Sequence, residues 1–408
     1  MADAHAQNPE RSRPDRAPVG RSHRIRRAAT AALRLALLAL AAGYFTGQVL
    51  TDHYFWTQWL FWTPPEAWLL GIWALTFLAL ATEPSGPRRR WGRWSVVLAA
   101  LVVVLHVATT HWRVHNALLR SAGPTALRVY HWNATEATDE SLQAFLRRAD
   151  PFAVHHDSEA VVVLANPPLR LGWGDIVRML ADRPIEQAEL PQHLRRGGRF
   201  VVISGPAMSA AGWTGLDLGG NTIEPGLLDN GTAIFARIET NTGPTTLWGW
   251  DWPSDPTRGR MAYVEHSLAA LDDSTHLRFA PTAAGPMQRT TDDGFPTPEI
   301  VVGDFNTARR SASVAALLPG LASAHAQAGI GPDYGWPRLV RIRGTDRATI
   351  PFLGLDQAFV DGSRWRVTAY RMIDVGQGTH RAQEVILTEV RSAMRPQGRA
   401  AGVQATGE

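Results

Sequence analysis

Residues 301–307 read VVGDFNT, and the interpretation of the rest of the chain starts from this stretch. An apolar run typical of a buried strand ends there and immediately presents a carboxylate, Asp304, and a carboxamide, Asn306. A phosphoryl-transfer site needs such groups, because a carboxylate can orient or deprotonate a water and an amide can hold a phosphate oxygen. Taken alone, the same pattern is also typical of a turn closed by Asp or Asn side chains.

Short apolar runs on both sides of this stretch predict a domain with many β-strands. The runs are rich in Val, Ile and Phe and are separated by Gly, Pro, Asn and Asp, as strands and turns are. We expect strands at 127–132, 160–164, 200–204, 232–238, 245–250, 300–302, 355–360, 365–372 and 384–390. Helical patterns occur at 138–149, 258–271 and 311–318. This combination predicts an α+β fold in which helices cover stacked sheets.

The first quarter of the chain has a different composition, with apolar stretches at 28–50, 67–82 and 94–110. Each is a candidate for a transmembrane helix, which needs about 20 mostly apolar residues. We interpret the first stretch as a span and not as a cleavable signal peptide. Its apolar run is long, it lacks a clear small-residue cleavage site, and two more apolar stretches follow it.

Positive residues predict the orientation of these spans. Arginines crowd the N-terminal tail and the loop 84–93, whereas the loop 51–66 contains neither Lys nor Arg. By the positive-inside rule, the N-terminus is cytoplasmic and everything after Thr110 lies on the outer side. Within the first loop, residues 54–62 read YFWTQWLFW. We interpret them as an aromatic belt at the membrane interface, with a ligand-binding aromatic surface as the alternative.

These patterns predict a multi-pass membrane protein with five parts. They are a basic cytoplasmic tail at 1–27, a three-helix transmembrane region at 28–110, a linker at 111–126, a soluble domain at 127–392 and a disordered tail at 393–408. The chain has no cysteine, which excludes disulfide partners, zinc–thiolate sites and thiol nucleophiles. Much of the positive charge lies in the N-terminal tail, so the net charge of +4 does not by itself indicate a nucleic-acid-binding face.

Several motifs of the soluble domain resemble, in the same order, those of the endonuclease/exonuclease/phosphatase family, which includes the deoxyribonuclease I-like enzymes. Residues 127–133 (LRVYHWN) resemble its opening strand, and residues 200–204 (FVVIS) resemble an internal strand that ends in Ile-Ser. Residues 303–307 (GDFNT) are similar to its Gly-Asp-Phe-Asn signature. Residues 355–360 (LDQAFV) and 378–381 (GTHR) resemble its Ile-Asp-His-Val-Phe-Val strand and its terminal Ser-Asp-His-Arg.

The resemblance covers residues 126–390 and implies both a fold and a site. The implied fold is a four-layer α/β sandwich of two mostly antiparallel sheets flanked by helices. In the implied site, Asn133 and Asn306 contact the phosphate or the metal shell, and Asp304 aligns the attacking water. His380 stabilises charge on the phosphoryl oxygens, and Asp356 pairs with His380 and favours its charged form.

Three positions depart from the family pattern, and two of them replace carboxylates. The family's metal-binding Glu corresponds to Asn166, its central His corresponds to residues 250–253 (WDWP), and its terminal Asp corresponds to Thr379. Asn166 can coordinate Mg²⁺ weakly but supplies no charge. Asp251 is a candidate replacement ligand, although an Asp in such a loop is also typical of a solvated turn.

The sequence therefore predicts a membrane-anchored, outward-facing phosphodiesterase or phosphatase assisted by Mg²⁺ or Mn²⁺. The candidate metal ligands are Asn133, Asn166 and Asp251. The expected partners are the lipid bilayer and a phosphate ester, either in a nucleic acid, a phospholipid headgroup or a small phosphodiester. The missing carboxylates favour the alternative of a catalytically inactive relative that binds an anionic ligand or a protein.

Overall fold

The structure is a computed structural model. It describes residues 19–82, 90–119, 125–153, 159–168, 173–179, 190–216, 218, 222–224, 227–273, 277–279, 294–342 and 345–390. Most of the basic tail at 1–27, part of the linker at 111–126 and the whole tail at 393–408 lie outside the described residues. The chain forms two compact units, one made of Met1–Phe45 with Pro65–Leu105 and the other of Thr46–Pro64 with His106–Glu408.

Long apolar helices make up the first unit. Most of it consists of α1 (Val19–Leu50), α3 (Pro65–Thr82) and α4 (Arg90–His106). The helix α2 (Phe55–Trp62), the π-helical turn at Val107–His111 and the 3-10 helix at Val114–Ala117 belong to the second unit. Three stretches, Arg24–Leu50, Pro65–Thr82 and Trp94–His111, are long and apolar enough to cross a membrane. They coincide with the three apolar stretches predicted from the sequence.

Strands and shorter helices make up most of the second unit. The strands are β1 (Leu127–Asn133), β2 (Glu159–Ala165), β3 (Leu194–Gly197), β4 (Phe200–Ser204), β5 (Met208–Gly215), β6 (Thr222–Glu224), β7 (Leu227–Leu228), β8 (Thr232–Thr240), β9 (Gly243–Asp251), β10 (Arg278–Phe279), β11 (Ile300–Asp304), β12 (Leu321–Ser323), β13 (Leu339–Ile342), β14 (Thr345–Ala348), β15 (Asp356–Asp361), β16 (Trp365–Ile373) and β17 (Ala382–Glu389). The helices are α5 (Asp139–Ala149), α6 (Trp173–Met179), α7 (Leu190–His193), α8 (Arg260–Asp272), α9 (Ala312–Leu317) and α10 (Ala324–Ala328).

Two large sheets organise these elements. One has six strands in the order β16-β17-β1-β2-β4-β3, and the other has seven in the order β10-β5-β8-β9-β11-β15-β12. In the described part of the chain, each large sheet contains a single parallel pair: β1 beside β2, and β9 beside β11. The carboxyl ends of parallel strands meet at one edge of a sheet. Asn133 and Asn166 therefore leave the first sheet side by side, and Asp251 and Asp304 leave the second in the same way.

The two sheets pack face to face, and each is covered by helices on its outer side. Val163 from the first sheet belongs to the same buried core as Ile234 and Val302 from the second. On the outer faces, Phe145 of α5 packs against the first sheet and Tyr263 of α8 packs against the second. This order of helix, sheet, sheet and helix confirms the predicted four-layer sandwich of mostly antiparallel sheets. Both faces of the central strands are covered, which explains the unbroken apolar run in β2.

The aromatic stretch 54–62 is not a simple interfacial belt. It forms helix α2, which buries Thr57, Gln58 and Phe61 while Tyr54 and Trp59 stay exposed. The Gln58 side-chain nitrogen donates a hydrogen bond to the backbone oxygen of Pro256, 3.2 Å away. A belt residue would leave its polar atoms among water and headgroups. The belt interpretation is therefore wrong for the buried face of α2, which packs as part of the second unit.

Candidate active site

Residues from both parallel pairs meet where their carboxyl ends approach one another. Asn133, at the end of β1, donates a hydrogen bond from its side-chain nitrogen to Asp304 Oδ2 at 2.8 Å. Asn166, just after β2, donates from its side-chain nitrogen to Asp251 Oδ2 at 3.1 Å and to Asn133 Oδ1 at 3.2 Å. These bonds connect the two sheets directly. Four predicted site residues from four different strand ends thus lie in one cluster.

His380 lies between two carboxylates in this cluster. Asp356 begins β15 and stands opposite Asp304 in antiparallel register, while His380 comes just before β17. The His380 Nδ1 atom is 2.8 Å from Asp356 Oδ2, and its Nε2 atom is 3.7 Å from Asp304 Oδ2. All three side chains are buried. Their separation from bulk water strengthens the attraction between the imidazole and the carboxylates.

The charge of His380 follows from this environment. Burial lowers the pKa of His380, but the neighbouring Asp356 carboxylate opposes burial and outweighs it, so the pKa is raised to about 9. Burial raises the pKa of Asp356, and the positive charge of His380 partly offsets that effect. Near neutral pH the pair is therefore an imidazolium beside a carboxylate. An imidazolium has two N–H donors, which suits it to hold an anion.

Asp304 is held from two sides. Besides the bond from Asn133, its Oδ1 atom accepts a hydrogen bond from the backbone N–H of Asn306 at 2.9 Å. Asn306 has a φ of 45°, a left-handed conformation that Asn tolerates better than most residues. The Asn306 side-chain nitrogen donates to the backbone oxygen of Trp252 at 2.6 Å. The stretch 301–307 is therefore both an Asx turn and part of the cluster, which reconciles the two interpretations of its sequence.

Two groups of side chains in the cluster have the chemistry of metal ligands. Asp304, Asp356 and His380 offer one ligand atom each within 4.8 Å of one another, and this buried group can bind a metal. His380 has no lone pair to offer while it is an imidazolium, so it becomes a ligand only after losing a proton. The second group consists of Asn133, Asn166 and Asp251. The Asn166 side-chain nitrogen donates to Asn133 Oδ1 and to Asp251 Oδ2, while Asn166 Oδ1 accepts a hydrogen bond from Arg199 at 3.4 Å.

Asp251 shows why this second group suits a cation. The pKa of Asp251 is raised well above its ordinary value, first by burial and then by the neighbouring carboxylates of Asp304 and Asp229. Arg199 and the hydrogen bond from Asn166 act in the opposite direction. Carboxylates crowded together in a buried place repel one another unless a positive charge lies between them. Oxygen donors of this kind fit a hard divalent cation such as Mg²⁺ or Mn²⁺.

Comparison with known proteins gives a fold likeness without a sequence match. No protein family and no curated protein matches the sequence. Similar solved structures include a mannosyl-6-phosphatase of Bacteroides thetaiotaomicron (11% identity, TM-score 0.43, covering 64% of this chain and 100% of that one). A second is an endonuclease/exonuclease/phosphatase family protein of the same organism (13% identity, TM-score 0.42, covering 65% of this chain and 98% of that one). A third is D. rerio TDP2 complexed with a single-strand DNA product (14% identity, TM-score 0.39, covering 64% of this chain and 98% of that one).

The second unit has the predicted four-layer α/β sandwich, and the motifs that resemble the endonuclease/exonuclease/phosphatase family converge within it. At such identities and TM-scores, the likeness by itself assigns neither an activity nor a substrate to this chain.

Among the described residues, three arginines of the second unit line the same cavity as the cluster, and the sequence interpretation missed them. Arg196, Arg199 and Arg260 border a cavity of about 1010 Å³ that also contains Asp304 and His380. Arg260 is only 1% exposed, and its guanidinium donates to the backbone oxygen of Pro253 at 3.0 Å. The one sequence signal was the run RRGGR at 195–199, in which a tight glycine turn separates basic residues. Arg260 lies in an ordinary helical pattern and gave no signal.

A buried histidine behind Asp356 was also missed. His131 lies in the middle of β1, with Nδ1 at 2.9 Å from the side-chain nitrogen of Gln383 and at 3.7 Å from Asp356 Oδ1. Burial, and then the charge of His380, lower the pKa of His131 to about 3. His131 is therefore neutral and leaves His380 as the charged partner of Asp356. An interior strand position gives no sequence hint of such a role.

Proposed function

We propose that this chain is a membrane-anchored hydrolase of phosphate esters in the endonuclease/exonuclease/phosphatase family. The observation that carries the proposal is the continuous chain of contacts from Asn133 through Asp304 and His380 to Asp356. Asn133, Asp304 and His380 come from distant parts of the sequence and line one cavity with three arginines, while Asp356 pairs with His380 from behind. An ion pair that only stabilises the fold would not need carboxylates, amides and arginines arranged around a cavity.

In this proposal, positive groups bind the phosphate. The His380 imidazolium and the guanidinium groups of Arg199 and Arg260 line the cavity and can donate to phosphoryl oxygens. Their charges also stabilise the extra negative charge that develops in the transition state. Asn133 is already oriented by the Thr135 hydroxyl, which donates to Asn133 Oδ1 at 2.7 Å. This hydrogen bond fixes the orientation of the Asn133 side chain, whose nitrogen donates to Asp304.

We assign to Asp304 the role of activating the attacking water molecule. Its carboxylate is held by Asn133 and by the backbone of Asn306, so its orientation is set before the substrate binds. Asp304 orients a water molecule and accepts its proton while the water oxygen forms a bond to phosphorus. The bond from phosphorus to the ester oxygen breaks, and the leaving oxygen departs with the bonding pair and takes a proton from solvent. His380 carries the opposing charge throughout.

Asp251, Asn133 and Asn166 would hold the divalent cation, Mg²⁺ or Mn²⁺. Bound there, such a cation supplies positive charge that polarises a phosphoryl oxygen. Asp251 provides the carboxylate that Asn166 lacks, and its pKa is raised first by burial and then by the neighbouring carboxylates of Asp304 and Asp229. The three apolar helices would anchor the chain in a lipid bilayer, with the N-terminus in the cytoplasm and the domain on the outer side.

Hydrolysis of simple aryl esters by the full chain in detergent tests the proposal. We expect release of nitrophenol from bis(p-nitrophenyl) phosphate or p-nitrophenyl phosphate in the presence of Mg²⁺ or Mn²⁺, and its loss in EDTA. The variant His380→Ala should lose at least about 10²-fold in rate, as expected for removal of a charge-stabilising group. His266→Ala is the matched control, since His266 is an exposed histidine of α8. Equal activity of both variants would reject the assigned site.

One observation favours a second candidate, a catalytically inactive binding module. The side-chain nitrogen of Asn166 lies between Asn133 Oδ1 and Asp251 Oδ2, where it already satisfies both acceptors without a cation. The same assay separates the two functions. Absence of turnover with either ester, together with saturable binding of inorganic phosphate that His380→Ala weakens, would support the binding module and reject the hydrolase.

A further inference from the structure

Residues 51–64, here called the α2 segment, belong to the second unit and contact the rest of it through buried polar groups. Asp52 is buried, and its Oδ1 atom accepts a hydrogen bond from the backbone N–H of Ser313 at 3.2 Å. The Thr51 hydroxyl oxygen accepts one from the backbone N–H of Ala312 at 3.1 Å. These N–H groups belong to the first turn of α9 and have no partner within their own helix. The α2 segment therefore caps a helix of the domain.

The α2 segment also contacts the loop that follows the Gly-Asp-Phe-Asn motif. The indole N–H of Trp62 donates to the Thr307 hydroxyl at 3.1 Å, and Thr307 in turn donates to Asp52 Oδ2 at 3.3 Å. The backbone N–H of Arg260 donates to the side-chain oxygen of Gln58 at 3.2 Å, and the Arg260 guanidinium lies over the Trp62 ring at 5.0 Å. The segment therefore supports both the motif loop and a cavity-lining arginine.

Two tryptophans of the segment form part of the cavity wall. Trp59 and Trp62 line the cavity that contains Asp304 and His380, and apolar residues such as Trp336 and Leu353 line it too. One part of the cavity therefore offers charges and hydrogen-bonding groups, while another offers aromatic and aliphatic surface. A ligand that fills such a cavity has a polar, anionic group joined to an apolar group.

The α2 segment, which contributes Trp59 and Trp62 to the cavity wall, connects two of the apolar helices in the sequence. The α2 segment begins directly after Leu50, the last residue of α1, and ends directly before Pro65, the first residue of α3. Both helices include stretches that are long and apolar enough to cross a membrane. Trp59 is 47% exposed and Trp56 is 58% exposed on the helix between them. Aromatic side chains at such positions favour the interface between hydrocarbon and water.

We infer that the substrate is the phosphate ester of a membrane lipid, with its phosphate at Asp304 and His380 and its apolar part against Trp59 and Trp62. This inference rests on the proposed function and adds the substrate class to it. The α2 segment contains no Lys or Arg. A nucleic-acid platform interleaves several basic and aromatic residues along an exposed surface, whereas Arg260, the cation that lies over Trp62, is buried and the exposed Trp56 and Trp59 have no Lys or Arg between them.

Matched pairs of esters test the inference with the full chain. Phosphatidic acid, phosphatidylglycerol and phosphatidylinositol are each offered as a dioleoyl lipid in nanodiscs and as the dibutanoyl analogue in solution, and bis(p-nitrophenyl) phosphate serves as a soluble reference. We expect at least one headgroup for which kcat/KM is tenfold or more higher with the long chains. Trp59→Ala should reduce that advantage at least fivefold; because the advantage is a ratio measured within one variant, a general loss of activity on the aryl ester cancels from it.

Trp56→Ala is the control, because Trp56 is an exposed tryptophan of the same helix that does not line the cavity. We expect it to keep the long-chain advantage within twofold, since three apolar helices still anchor the chain. Trp59→Phe should restore most of the advantage, which separates a wall contact from a folding defect. Hydrolysis of the aryl ester with no long-chain advantage, or equal effects of Trp56→Ala and Trp59→Ala, would overturn this inference alone. No hydrolysis of any ester would instead reject the proposed function.

Discussion

The two sides of the candidate site differ in how closely they follow the family pattern. On one side, here called the histidine side, Asp304, Asp356 and His380 stand where the motifs place them, and His380 bridges two carboxylates. On the other, the amide side, Asn166 replaces the family's Glu, and Asp251 lies in the stretch 250–253, which lacks the family's central His. There the side chains are joined by hydrogen bonds from an uncharged amide.

This difference separates two tasks that the site would perform. In the proposed function, the charge pair and the oriented carboxylate of the histidine side would serve proton transfer and charge stabilisation. The amide side has one buried carboxylate whose pKa is raised by burial and by neighbouring carboxylates, and in the same proposal it would hold a cation. Changes on the histidine side should therefore affect rate most, and changes on the amide side should affect cation affinity and stability most.

The largest expected effect is that of Asp304→Asn on the histidine side. The amide cannot accept a proton from the attacking water, so we expect kcat to fall about 10³-fold, within the range for loss of a general base. Steady-state kinetics on an aryl phosphodiester measure the fall in kcat, and thermal unfolding checks that the variant is folded. A loss of less than about tenfold in a folded variant would remove Asp304 from the role assigned to it.

The next effect concerns the charge of His380. With its pKa raised to about 9, the rate should fall as the pH rises through about 9, because the imidazolium is the active form. The pair's contribution to stability should be complete below the ordinary histidine pKa and should be lost through the same upper range. Asp356→Asn removes the strongest opposition to burial and leaves only the weaker effects of Asp304 and Asp251, so the pH at which the rate falls should become lower by about one unit or more. If kcat/KM of Asp356→Asn falls at the same alkaline pH as in the original chain, the proposed pairing of Asp356 with His380 is contradicted.

On the amide side, Asn166→Asp should increase cation affinity by about tenfold, because a carboxylate adds charge to the ligand set. Asp tolerates the left-handed backbone found at this position, where φ is 48°. Titration of the thermal midpoint with Mg²⁺ gives the dissociation constant for the original chain and for the variant. An unchanged constant would mean that the cation binds elsewhere and would remove the contrast between the two sides.

The smallest expected effect is a gain in stability from Asp251→Asn without cation. The pKa of Asp251 is raised, so its charged form costs stability that grows as the pH rises above the ordinary value for Asp. Removing that charge should raise the thermal midpoint in EDTA by about 2–4 °C, which corresponds to about 1 kcal/mol for a domain of this size. The midpoint should no longer rise with Mg²⁺. A lower midpoint in EDTA would show that Asp251 is stabilising without a cation.

Sequence patterns predicted those features of the structure that depend on the composition and order of neighbouring residues. The apolar runs at 28–50, 67–82 and 94–110 predicted helices long enough to cross a membrane because length and composition alone set that property. The unbroken apolar runs of β2 and β11 predicted buried strands for the same reason. The order of the motifs then located Asp304, Asp356 and His380, which the structure brings together.

The residues that the sequence interpretation missed depend on contacts between distant segments. Arg260 and His131 occur in ordinary helix and strand patterns, and only packing places them beside Asp304 and Asp356. The α2 segment was interpreted as an interfacial belt because its composition fits one, yet Gln58 and Trp62 bond to residues some two hundred positions away. No local pattern contains that information.

The sequence by itself determined the number of apolar helices, the strand-rich domain and the identity of the charge pair, since periodicity, hydrophobicity and short motifs are local properties of a chain. Only the tertiary structure decided that Asn166 bonds to Asp251, that three arginines surround the cavity and that Trp59 and Trp62 form its wall. The physical reason is that side chains distant along the chain interact only after the two sheets have packed and brought their strand ends together.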